Sequence, residues 1–218
     1  QGATFNGVEG NVRVDALTGA GVISSGFNPA GTAYKNFTFG VNNGSGVFNG
    51  IIQNGNFAGN FVKLGTGTQV LAGANTYTGS TTVQAGVLTL DGSWSVGADT
   101  ANVLVEQGGI LNGLGTLTAG ELLIGGLGTV SLTGNNQVGR VAGSGALGSL
   151  TFNNNQSLRV GSMSAAGPVL ITTSGLGADL TLNADSMLSS TSGGDAITLV
   201  AGRHFIRWEI GEFYQFIL

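Results

Sequence analysis

The chain has 218 residues, with 41 glycines, no cysteine, 8% charged and 41% hydrophobic residues, and a formal net charge of −4. Seven Lys and Arg scattered through an acidic chain offer no basic face for nucleic acid, and zero cysteine removes thiolate zinc sites, Cys nucleophiles and disulfides. Two prolines, little charge and a mean hydropathy of +0.28 exclude disorder, and glycine without a three-residue period excludes collagen.

Short alternating runs, each followed by a Gly, Asn or Ser turn, occupy most of the chain. In order they include Val12–Val14, Phe37–Phe39, Val87–Leu90, Val103–Val105, Leu122–Ile124, Val130–Leu132, Leu150–Phe152, Leu158–Val160, Val169–Ile171, Leu180–Leu182 and Ile197–Leu199. Period two means one buried and one wet face. The middle residue is often Thr, Ser or Arg, which suits water. Glycine interrupts every candidate helical window before the last fifteen or so residues, at about 1 kcal/mol each.

The aliphatic pairs recur at about twenty residues, from Val103 to Leu122 and from Val130 to Leu150 to Val169. Such a period marks a solenoid. The expected fold is all-β, a single-stranded parallel β-helix of about ten coils. By the strand spacing of about 4.8 Å it would form a rod roughly 50 Å long. One coil cannot bury its own face, so stability comes from its neighbours. Asn42-Asn43, Asn135-Asn136 and Asn153–Asn155 are expected at bends, in αL and laddering their amides onto adjacent coils. An antiparallel sandwich or barrel is the alternative all-β reading.

Residues 61–90 read FVKLGTGTQVLAGANTYTGSTTVQAGVLTL. The stretch resembles the autotransporter-associated β-strand repeat, with Val62, Lys63, Gly65, Gly67 and Thr68 in its lead-in. Leu71, Gly73, Asn75, Thr76, Tyr77, Thr78, Gly79, Thr81, Val83, Gly86 and Leu88 follow. Gly50–Gly55 also suits a lead-in, and residues 101–134 look like a degenerate further repeat. Gly194–Gly202 is similar to filamentous haemagglutinin-like exoproteins. Both families imply a right-handed parallel β-helix on a Gram-negative surface or secreted protein. The resemblance further implies a passenger domain, with a translocator barrel elsewhere in the parent protein and an outer-membrane association through it. Tyr77 is expected at a coil corner with its hydroxyl wet.

Starting at Gln1, the chain reads as an internal segment whose targeting signals lie outside it. No apolar run reaches the roughly 18 residues of a membrane-spanning helix. Residues 1–202 form the expected repeat region. Residues 203–218, rich in aromatics, are an atypical tail: a cap over the last coil, a sequence foreign to the repeat, or an interface anchor. Ile206, Ile210, Phe213 and Ile217 fit a helical face, while Ile206, Trp208 and Ile210 alternate like a strand.

Candidate chemistry is sparse, and no residue is assigned as catalytic, cofactor-binding or metal-ligating. His204, the only histidine, is read as structural or solvated. Gly143–Gly148 matches GxGxxG but opens no helix. Gly125–Val130 resembles a calcium nonapeptide with Thr129 where Asp is needed. Thr116-Leu117-Thr118 is a single Thr-x-Thr that does not recur. Asp179, Asp185 and Asp195 could meet across stacked coils, as in β-helical polysaccharide hydrolases or lyases; turn capping is the simpler role. The expected function is a rigid, extracellular or cell-surface stalk with adhesive surfaces, including residues 24–36. Its ligand would be a host or bacterial glycan or protein, with end-to-end or edge self-association possible.

Overall fold

The computed structural model describes residues 3–6, 11–26, 36–95, 102–106, 108–183, 186–191, 197–209 and 212–217. Among these residues every regular element is a strand. The strands stack coil upon coil as a parallel β-solenoid, as the twenty-residue recurrence requires. The sandwich is excluded: each described pairing in the body is parallel.

The first wall of the solenoid runs through ten stacked strands, from Val12–Val14 to His204–Glu209. Its inward row is Val12, Phe37, Phe61, Thr81, Val103, Leu122, Val141 and Val160. From Phe37 to Val160 these side chains are at most 1% exposed. Each fully buried aliphatic of such a row stabilises the fold by roughly 1.5–3 kcal/mol. The second wall holds eight strands, from Gly46–Phe48 to Ile197–Val200. Its inward row is Gln69, Leu88, Leu111, Val130, Leu150, Val169 and Ile197.

The solenoid therefore has about eight complete turns, fewer than the ten expected. The pitch is not uniform. Val103, Leu122, Val141 and Val160 follow one another at 19 residues, whereas Val12 to Phe37 and Leu182 to Arg207 each take 25. Longer coils at both ends use up sequence without adding rungs.

The repeat at 61–90 shows why its motif residues are needed. Gly40, Gly65 and Gly86 sit one above another at a corner, all with positive φ (89°, 65° and 63°). A Cβ on Gly65 would collide with the Gly40 carbonyl, and one on Gly86 with the Gly65 carbonyl. Only glycine satisfies both the left-handed backbone and the close stacking. The Lys63 side chain is fully buried beside this corner. Its ammonium donates to the carbonyls of Leu64 (2.6 Å), Gly65 (3.0 Å) and Ala85 (3.2 Å). The lysine thus satisfies carbonyls that a turning chain removes from the ladder.

Two local expectations change. Tyr77 is 1% exposed, and its hydroxyl lies 2.7 Å from the Thr81 hydroxyl rather than in water. It belongs to an interior aromatic file, Phe37, Phe61, Tyr77 and Trp94, with centroids 4.1–5.6 Å apart. The bend asparagines mostly grip backbone instead of forming amide ladders. Asn136, fully buried, accepts from Leu117 N–H and donates to the carbonyls of Leu132, Gly134 and Asn153. Asn154 does the same for Val138. An amide so placed replaces ladder bonds lost at a bend, which one side-chain-to-side-chain contact cannot do. Among the described residues an amide pair is seen once, from Asn60 to Asn36 at 3.3 Å. Asn43 does adopt αL, with φ 69°.

The tail is not helical. His204–Glu209 continues the first wall on Leu180–Leu182, and Glu212–Ile217 turns back antiparallel on it. Ile206 and Trp208 thus fall on a strand; Ile210 lies outside the described residues.

Candidate functional site

The outward row of the first wall changes character along the rod. Near the N-terminal end it is an amide and hydroxyl row: Asn36 N–H donates to Asn11 Oδ1, and Ser80 N–H to Asn60 Oδ1. Further on it becomes charged. The register aligns Glu121, Arg140, Arg159 and Thr181 on four successive coils. Arg140 pairs with Glu121, and Gly161 leaves room for its guanidinium, since a Cβ there would lie 2.5 Å from Arg140 Nη2. The Arg159 side chain is exposed and has no ion-pair or hydrogen-bond partner among the described residues.

Beside this row lies an open groove of about 740 Å³, between the Gly120–Gly139 corner and the polar set Gln156, Ser157, Arg159, Asp179 and Thr181. The two glycines stack on neighbouring coils, where a Cβ on Gly139 would lie 2.9 Å from the Gly120 carbonyl oxygen. Asp179 closes one side. It takes a two-pronged ion pair from Arg203, Nε to Oδ1 at 2.9 Å and Nη2 to Oδ2 at 2.7 Å. His204 Nδ1 stands 3.3 Å from Oδ1. The Arg203 hydrogen bonds, against some desolvation, hold the Asp179 carboxyl below its ordinary value. The Asp179 N–H donates to Ser157 Oγ, so the serine hydroxyl keeps its own proton to donate. This arrangement can bind a polar, anionic group: Arg159 offers a free planar fork, flanked by the polar side chains of Gln156, Ser157 and Thr181.

Among the sequence candidates, Asp179 lines this groove and His204 meets it from outside the lining, whereas Asp185 and Asp195 lie outside the described residues, as do residues 27–35 of the predicted loop. The glycines of the GxGxxG match lie around the end of the strand Thr129–Gly143, followed by Ala146–Leu147 and no helix. Gly126-Leu127 forms a turn, with Leu127 at φ 64°. Thr116 and Thr118 stack on Ser93 and Ser95. Among the described residues no three His, Asp or Glu converge as a metal site would need. Glu121, Arg140 and Arg159 were not singled out in the sequence, yet their 19-residue spacing is the coil period itself, and that signal would have found them.

Residues 61–90 match the passenger-associated-transport-repeat family. The chain is also similar to the "Extracellular serine protease" of Serratia marcescens, 46% identical over 61 residues, which is 28% of this chain and 5% of that protein. The chain therefore spans a small fraction of this curated relative. No solved structure matches. The lysine and glycine corner, the stacked parallel coils and the family match agree: this β-solenoid carries an autotransporter passenger repeat.

Proposed function

We propose that this secreted passenger segment serves as a rigid spacer whose outer walls present adhesive surface to a host or bacterial glycan or protein. The carrying observation is the register of the first wall, which runs unbroken through ten strands. A shared backbone ladder of that kind resists bending, because every coil is held by the one above and the one below. The parent protein would supply a translocator barrel and hold the rod at the outer membrane. Cleavage of polysaccharide is disfavoured by Asp179, whose carboxylate is tied to Arg203 and not poised to take or give a proton.

The test is geometric and functional together. Deleting residues 122–140 removes one period and brings Val141 under Val103. The shortened chain should fold, with its scattering length reduced by about 4.8 Å. Deleting ten residues at the same place should abolish folding. Beads coated with the full chain should adhere to cells or matrix, and the rod reading fails if the particle scatters as a sphere. Polysaccharide turnover lost on Asp179→Asn would instead favour the enzyme.

A further inference from the structure

We infer that the groove on the C-terminal half of the first wall is a binding site for acidic saccharides, with Arg159 as the residue that takes the carboxylate. The inference deepens the adhesive reading by naming the ligand class and the place. The charges, the lining and the strands beneath the groove carry it. The guanidinium of Arg159 is exposed and unpartnered among the described residues, while its neighbours Arg140 and Arg203 are each committed to an acid. A cation left unpaired between two ion pairs is the natural seat for an anion from outside. Planar guanidinium also matches a carboxylate with two parallel hydrogen bonds.

The rest of the lining holds two groups already ion-paired, Arg140 with Glu121 and Asp179 with Arg203, together with Leu158 and three uncharged polar side chains. Gln156 offers an amide that both donates and accepts, Ser157 a hydroxyl with its proton free, and Thr181 a second hydroxyl. Such groups suit the ring hydroxyls of a sugar. Gly120 and Gly139 contribute no side chain to the lining, so a flat ring can approach the backbone there. A peptide fits less well. The first-wall strands beneath the groove, Leu158–Val160 and Leu180–Leu182, are paired on both sides, so an extended chain finds no free sheet edge. The lining also contains no aromatic residue to anchor a peptide side chain.

The experiment is calorimetric titration of the full chain with an oligogalacturonate, the neutral oligosaccharide of equal length, and an oligoglutamate of equal charge. The uronate should bind, and Arg159→Gln should weaken it about tenfold or more, with Arg159→Lys in between because a point charge replaces the fork. The neutral sugar should bind at least about tenfold more weakly than the uronate. Circular dichroism should be unchanged in both variants, since the side chain is exposed. Undiminished uronate binding by Arg159→Gln, equal binding of the neutral sugar, or oligoglutamate binding as tight as the uronate would each overturn the assignment. If uronate fails while coated beads still adhere, the groove is refuted and the adhesive spacer stands. If the beads also fail to adhere, the adhesive reading falls with it.

Discussion

Lys63 is the residue on which the repeat motif turns. An ammonium with no exposed surface is costly, and three carbonyls offset the cost. Burial lowers its pKa below the ordinary 10.5. The unfolded chain then holds the proton more tightly than the folded one, so this residue's contribution to stability grows as pH rises towards 10.5 and is lost as pH falls through the folded value. Tyr77 acts in the other direction. Burial pushes its phenol well above 10.0, so the folded state keeps a proton that the unfolded chain gives up, and stability drops once pH passes 10.0. Urea titrations across alkaline pH should show a rise followed by a fall. Lys63→Met should flatten the rise and cost about 2–4 kcal/mol at neutral pH, through three carbonyls left unpaired. Tyr77→Phe should remove the fall and cost about 1 kcal/mol for the hydroxyl bond to Thr81.

At the scale of a corner or a strand, the stacked glycines give a sharp comparison. Gly65 and Gly108 both have positive φ, 65° and 75°, but a Cβ on Gly108 meets nothing within 4 Å, whereas one on Gly65 strikes the Gly40 carbonyl. Gly108→Ala should cost only backbone strain, about 1 kcal/mol. Gly65→Ala should cost several times more and lower the melting temperature accordingly; equal losses would mean that stacking does not matter at this corner. The strands themselves were legible in the sequence. Val87–Leu90, Val103–Val105 and Leu180–Leu182 were visible because inward aliphatics alternate with Thr or Leu on the other face and each run is followed by a polar residue, Asp91, Glu106 or Asn183. What alternation cannot convey is where a corner residue points. Tyr77 follows the short strand Ala74–Asn75 just before a bend at Gly79, and only the stacking of Phe61 and Trp94 on either side carries it indoors. The charged row was legible only through the coil period. Glu121, Arg140 and Arg159 are far apart in sequence and become neighbours only when a period of 19 is wound up.

Over the whole molecule, stability resides in the contacts between coils, and the end coils have fewer of them. The N-terminal end is hollow: Val14, Leu17, Ile23, Phe37 and Phe48 line an open apolar cavity of about 280 Å³, and Phe5 beside them is 46% exposed. Hydrogen exchange should find amides of Val12–Val14 far less protected than those of Leu122–Ile124, which lie between two neighbours. Uniform protection along the rod would contradict a stack held by neighbour contacts.

The reversed strand Glu212–Ile217 makes the two ends of the molecule unlike. On the first wall a second copy arriving at the C-terminal end meets a strand of the wrong polarity, so the wall cannot be extended there as a parallel ladder.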